Sequence, residues 1–190
     1  MDKKSSIRSD LIQRRNELSI ELVHEKSRKI CKQVMITPEF LEADHVLLYA
    51  DFRHEVETKE IFDACLAQKK KVYFPKCIQD TMTFYQIISV MQLENGYWGI
   101  KEPKDLTHPY IYNEKDNTLV IIPGVAFDIN GYRIGYGKGY YDRFLTDKPY
   151  VNKMGLAYSF QMLEQIPKDT YDQKLDKVVT EELVYTFLRI

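Results

Sequence analysis

Apolar residues are spaced by threes and fours at the start of the chain and then gather into short unbroken runs. From Ser6 onward, Ile7, Leu11 and Leu18 recur at helical spacing with Arg8, Arg14 and Arg15 among them, which predicts a first helix. Ser19 is placed to cap a second, whose Val23, Ser27, Ile30, Cys31 and Val34 share one face as far as about Met35. Thr37-Pro38 opens a short helical turn, proline being tolerated at the first helical position. The pattern then changes: His45 to Ala50, HVLLYA, is continuously apolar, as a strand covered on both faces should be. After the polar stretch Asp51 to Glu57, Thr58 is placed to cap a helix with Ile61, Phe62, Cys65 and Leu66 inward and Lys69, Lys70 and Lys71 at its C-terminal end. Val72 to Phe74 follows as a strand stopped by Pro75, completing a right-handed, parallel β-α-β unit.

Residues 81–90 read as another strand and 95–103 as a loop. Leu119 to Ile122 reads as the central buried strand, feeding a glycine-rich loop and then a short helix from about Tyr140. Lys153 to Tyr158 and Lys177 to Val179 are the last strands. The alternation predicts an α/β protein, one domain over residues 1–190. Its open, mostly parallel sheet carries helices on both faces in Rossmann-like layers, with N-terminal helices ahead of the first strand.

Charge narrows the function classes. Lysine and arginine (27) nearly balance aspartate and glutamate (28), so no global field draws the chain to nucleic acid or to a membrane surface, and any anion site must be local. A basic first helix carrying Lys3, Lys4, Arg8, Arg14 and Arg15 leaves RNA binding as an alternative, without a recognition motif to support it. Three cysteines, Cys31, Cys65 and Cys77, form no CxxC pair, which argues against a disulfide framework or zinc site and for a reducing cytoplasm. The four histidines have no ligand spacing. One copy of the chain is expected to suffice, as a monomer.

The chemistry concentrates in residues 119–145, LVIIPGVAFDINGYRIGYGKGYYDRFL. Gly135, Gly137 and Gly139 alternate with Tyr136 and Lys138; such a backbone brings its N–H groups close to an anion. The spacing is neither the dinucleotide GxGxxG nor a P-loop, since Lys138 precedes Gly139 and not Ser or Thr. A plain strand-to-helix turn is the alternative, against which stand Arg133, Lys138 and Asp142. Lys138 supplies a mobile charge for a terminal phosphate and Arg133 a fixed fork. Asp142 suits either a helix cap or magnesium; Asp172 is a second carboxylate with which Asp169 and Asp176 compete. Lys4 and Arg8 share a helix face, at a site or in solvent. Glu55 and Glu57 lie past the first strand, where one glutamate is suited to grip a nitrogen-rich ring. Trp98 either stacks on a planar ligand or plugs the core.

Taken together these residues carry a resemblance: Lys4-x-x-x-Arg8, Tyr49 with Glu55-Val-Glu-Thr58, Trp98-Gly-Ile-x-Glu-Pro103, Pro123 to Asp142, and Asp172-x-x-x-Asp176. The chain resembles the 5-formyltetrahydrofolate cyclo-ligases, also called 5,10-methenyltetrahydrofolate synthetases, nearly end to end. The resemblance implies an ATP- and magnesium-dependent ligase that closes 5-formyltetrahydrofolate to 5,10-methenyltetrahydrofolate and releases ADP and phosphate. In it the formyl oxygen is phosphorylated and N10 then attacks. By position it implies that Lys4, Ser5, Ser6, Ile7 and Arg8, with Arg133, Ile134, Gly135, Tyr136, Gly137, Lys138, Gly139, Tyr140 and Tyr141, hold ATP. Of these, Lys138, Arg133 and Tyr140 serve catalysis. Asp142 and Asp172 hold magnesium. Ala50, Glu55 and Trp98 line the folate site, with Tyr136 to Tyr140 as a wall shared by both substrates. Ile134, where the family more often has leucine, is a volume-conserving departure.

Overall fold

The computed structural model describes residues 3–189. Helices α1 (Lys3–Asn16), α2 (Ile20–Met35) and α3 (Pro38–Leu41) precede β1 (His45–Leu47), α4 (Lys59–Ala67), β2 (Lys71–Ile78) and β3 (Thr81–Gln86). A hairpin β4 (Leu93–Asn95) and β5 (Lys101–Pro103) leads to β6 (Thr118–Ile122), β7 (Ala126–Asp128), β8 (Arg133–Ile134) and α5 (Tyr140–Leu145). The chain closes with β9 (Asn152–Leu156), β10 (Met162–Leu163), β11 (Lys177–Val179) and β12 (Val184–Thr186). Seven strands form the main sheet in the order β12-β11-β9-β6-β1-β2-β3; the inner pairings are parallel, and β12 and β3 add antiparallel edges.

The apolar runs explain this sheet. Every residue of β6 is buried, and the strand's period of two sends Leu119 and Ile121 to one face and Val120 and Ile122 to the other. On the first face they meet Ile30, Val34, Phe40, Ile61 and Cys65 from α2, α3 and α4. On the second they meet Phe84, Phe127, Leu145 and Val178. A third cluster joins Leu11 of α1 to Ala126, Ile134 and Ile166, so α1 rests on the small sheet β10-β7-β8. The Phe127 ring fills space that two glycines leave. A Cβ on Gly124 would come within 2.4 Å of that ring, and one on Gly155 within 2.7 Å of it and 2.9 Å of Leu175. Gly155→Ala is expected to cost about 1–3 kcal/mol through overpacking, read as a lower urea midpoint at unchanged slope.

Several sequence expectations are corrected. The first strand leaves the ladder after Leu47, because Tyr49 is drawn into the following turn: its hydroxyl donates to the Val56 carbonyl and its own carbonyl accepts from Thr58. Thr58 stands at the start of α4 but makes no side-chain cap, since that hydroxyl is committed to Tyr49 and Asp51. β2 runs through Pro75 to Ile78: Tyr73 turns its carbonyl toward β1, so Pro75, two residues on, faces the same side where β1 has already ended and no ladder N–H is needed. The strand expected over 81–90 ends at Gln86, followed by a 3-10 turn capped by Ser89. The strand expected over 153–158 ends at Leu156. Residues 95–103 belong to the β4–β5 hairpin and not to a plain loop.

Candidate active site

The glycine loop is not fed directly by the central strand. The β7–β8 hairpin intervenes, and Asp128 closes its turn by accepting the N–H groups of Asn130 and Tyr132 at 3.0 and 2.9 Å and that of Ile166 at 3.2 Å. From β8, Arg133 and Ile134 enter buried, and Gly135 to Gly139 emerge. Gly137 has φ +93°, a conformation that a side chain would strain, and a Cβ there would lie 3.6 Å from the Arg8 guanidinium. Lys138 is exposed, and its ammonium meets no hydrogen-bond or ion-pair partner among the described residues. Arg143 ties the loop down, donating to the Lys138 carbonyl at 2.8 Å and to the Asp80 carbonyl at 3.0 and 3.2 Å. Tyr140 does the same, its hydroxyl 2.8 Å from the Gln79 carbonyl. The Tyr141 hydroxyl is buried without a hydrogen-bond partner among the described residues, beneath the Arg133 guanidinium.

The first helix docks against this loop. Arg8 Nε donates to the Gly135 carbonyl at 2.8 Å, and Lys4 Nζ reaches Asp172 and Asp169 at 2.8 and 2.6 Å. Ile7 packs into the third cluster, while Ser5 is half-buried and Ser6 exposed. The shared face of Lys4 and Arg8 thus points at the site and not at solvent. Of the cations that suggested an RNA-binding helix, Arg15 is buried and Lys4 and Arg8 are half-buried, while Lys3 and Arg14 are exposed.

The acidic residues complete a closed circuit. Arg133 grips Asp142 with both terminal nitrogens, at 2.9 and 3.3 Å. The Gln173 N–H donates to the same carboxylate at 3.1 Å, which brings the residue after Asp172 against Asp142. Asp172 itself accepts from Lys4 and from the Asp169 N–H at 2.7 Å. Asp176 lies elsewhere, paired with Arg189 and the Lys153 N–H. Among the described residues no three acidic, histidine or cysteine side chains converge on a metal site. Two carboxylates with oxygen donors only, each balanced by a cation, nevertheless fit magnesium, which takes one or two carboxylates and completes its shell with phosphate and water.

Glu55 faces the loop from the other side. Its carboxylate accepts from the Tyr136 hydroxyl at 2.9 Å and from the Phe52 N–H at 3.0 Å. Burial pushes its pKa up to about 7, against the lowering pull of Arg15 and of those two hydrogen bonds. Ala50 is half-buried nearby in sequence, at the end of the first apolar run. Glu57 takes no part, pairing with His24 at 2.6 Å. Trp98 lies between β4 and β5 at φ +63° and is 64% exposed, so its ring is no core plug.

The sequence model of the 5-formyltetrahydrofolate cyclo-ligase family matches residues 1–181. The chain belongs to that family. A Schizosaccharomyces pombe protein named probable 5-formyltetrahydrofolate cyclo-ligase is 36% identical, the match covering 96% of this chain and 97% of the relative. A Haemophilus influenzae 5-formyltetrahydrofolate cyclo-ligase is 30% identical over 91% of this chain and 95% of its own. The solved structure of Aquifex aeolicus 5,10-methenyltetrahydrofolate synthetase superposes with a TM-score of 0.85 at 35% identity, covering 100% of this chain and 95% of that one. The Mycoplasma pneumoniae synthetase structure gives 0.74 at 26% identity, covering 95% and 99%. This family member is therefore an enzyme on the mixed α/β fold expected of it. Among its described residues no helix is long and apolar enough to cross a membrane.

In this cyclo-ligase family chain the folded network includes members that motif spacing did not single out. Gln173 acts through its backbone N–H, a contact that leaves no trace in residue type, and Arg143 sets its guanidinium on two backbone carbonyls, partners that residue type does not name. Arg15 could have been found: with Lys4, Arg8 and Leu11 it continues one stripe at i, i+4, i+7 and i+11, and that stripe holds both buried residues of α1.

Proposed function

We propose that this enzyme closes 5-formyltetrahydrofolate to 5,10-methenyltetrahydrofolate, coupled to cleavage of ATP to ADP and phosphate, in a chain that works as one domain. One observation carries the reading: α1, the glycine loop, the Asp142–Asp172 pair and Glu55 meet through side-chain contacts at one place, although they come from distant parts of the sequence. A loop that presents N–H groups and a lysine on one side, and a buried carboxylate on the other, suits a phosphate donor and a nitrogen-rich acceptor held together.

In this reading the formyl oxygen attacks the γ-phosphorus and the bond to the ADP oxygen breaks. N10 then attacks the formyl carbon and loses its proton, and the carbon–oxygen bond breaks to release phosphate. The protein supplies no nucleophile and no acyl carrier; it aligns the reacting atoms and balances charge. Lys138 meets the transferring phosphate, with Arg8 and Arg133 alongside. Asp142 and Asp172 hold magnesium, which when bound would offset phosphate charge. Glu55 accepts N–H groups of the pterin ring, with Ala50 and Trp98 beside the folate and Tyr136 between the substrates. The test is ATP-dependent growth of the near-ultraviolet absorbance of the methenyl product from 5-formyltetrahydrofolate. Folded protein without turnover in that assay would refute the proposal.

A further inference from the structure

Arg15 is the largest of the fully buried side chains, 1% exposed in a helix whose only other buried residue is Leu11. Taking a guanidinium out of water is costly, and a leucine or methionine would fill the same space without that cost. Its surroundings say what the charge faces. One terminal nitrogen donates to the Tyr136 hydroxyl, which donates in turn to Glu55 at 2.9 Å; the other terminal nitrogen lies 3.9 Å from the same Glu55 oxygen. Glu55 is the only acidic side chain in ion-pair range of it among the described residues. Arg15 Nε has no hydrogen-bond partner there either, so the group is not spent on fastening the helix. Arg15 and Glu55 pack with Tyr49, Gly124 and Gln161 at a spot with no room even for a water molecule. No ligand fits against the guanidinium there, so Arg15 is set to act on a ligand through another residue.

We propose that Arg15 is a positioning residue for the cyclo-ligase reaction: by its charge, and through Tyr136, it keeps Glu55 an oriented anion for the N–H edge of the folate's pterin ring. The inference rests on the function proposed above. The chemistry needs the anion, because a pterin presents adjacent ring N–H and amino donors. A carboxylate accepts both, whereas a neutral carboxyl group turns its own O–H proton toward one of them. Burial works against that anion, and Asp51 adds to the opposition. The groups around Glu55 are few: Arg15 from α1, Tyr136 from the glycine loop, Tyr49 and Asp51 after β1, and Tyr141 of α5. Tyr158 donates to the Glu55 backbone carbonyl, and His54 contacts the Arg15 carbonyl. Arg15 is the sole fixed cation in that set, and it heads the influences favouring the ionised form.

The experiment compares wild type, Arg15→Met and Arg15→Lys in calorimetric binding of 5-formyltetrahydrofolate and in turnover, each between pH 5.5 and 9. Wild-type affinity should fall as pH drops through about 7. In Arg15→Met that limb should move at least about one unit upward. The folate KM near pH 7 should then rise about fivefold or more, while kcat at saturating folate and alkaline pH stays near wild type. Arg15→Lys, keeping the charge, should restore the limb toward wild type. An unmoved limb in Arg15→Met, or an equal displacement in Arg15→Lys, would overturn the inference. If Arg15→Met does not fold, Tyr136→Phe decides: losing the donated hydrogen bond should raise the limb in the same direction, and an unmoved limb refutes the relay. A wild-type protein that neither binds nor converts the folate sinks the cyclo-ligase reading itself, an outcome distinct from active enzyme with an unmoved limb.

Discussion

Lys138→Ala is expected to lower kcat roughly 10²–10³-fold, the usual cost of removing one positioned charge from a transition state. The residue lies on an exposed loop, and its side chain meets no hydrogen-bond partner among the described residues, so nothing in the folded protein depends on it. Stability should therefore stay within about 0.5 kcal/mol of wild type, as for other exposed substitutions away from caps and cores. The KM for the folate should hardly change, because in the proposed reaction the grip on the pterin ring falls to Glu55 and Lys138 meets the transferring phosphate. Steady-state turnover with both substrates varied, beside a thermal melt, separates these outcomes. A kcat within twofold of wild type would remove Lys138 from phosphoryl transfer.

Glu55→Gln should weaken folate binding about a hundredfold, since hydrogen bonds to a charged acceptor are worth about 1.5–3 kcal/mol each and the amide cannot accept two ring donors at once. Its effect on stability should run the other way. The Glu55 pKa is raised from an ordinary 4.5 to about 7 by burial. Below the lower value the group is protonated whether the chain is folded or not, and it costs nothing. As pH rises through the window from 4.5 to 7 the unfolded chain ionises first, so stability is lost across that window and stays lost above it. At pH 8 the neutral variant should thus melt above wild type, by at most about 3 kcal/mol. Arg15, deprived of its counter-charge, takes back part of that gain. The gap should narrow at pH 5. A variant that binds folate normally, or melts lower at pH 8, would contradict this account of Glu55.

The contrast between the two residues explains which parts of the site were legible in advance. Lys138 stands in a pattern of alternating glycines that constrains the backbone locally, and a local constraint is visible in a short stretch of sequence. Glu55 was visible as a residue type in the right loop, but its neighbour Glu57, equally eligible by that reasoning, is turned away to His24. Asp172 and Asp169 were likewise level by type, and both meet Lys4. Only the Gln173 N–H on Asp142 brings the Asp172 segment to the first carboxylate. The fold follows the same division. Unbroken apolar runs located the inner strands, because burial on both faces demands them. Where strands stop was decided elsewhere, by the Tyr49 hydroxyl on Val56 and by β1 ending opposite Pro75.

By itself, then, the sequence determined what depends on neighbours along the chain. That covers the periodic helices, the buried parallel strands, the glycine loop with its lysine, and through their order the family resemblance. The tertiary structure decided what depends on neighbours across the chain. Arg15 and Tyr136 are separated by 121 positions, Tyr136 and Glu55 by 81, and Lys4 and Asp172 by 168. Residue type gives each of these groups a charge or a hydrogen-bonding capacity but not a partner. The partner, the burial and hence the protonation of Glu55 are fixed only when α1 packs on the small sheet and brings Arg15 against Tyr136 and Glu55.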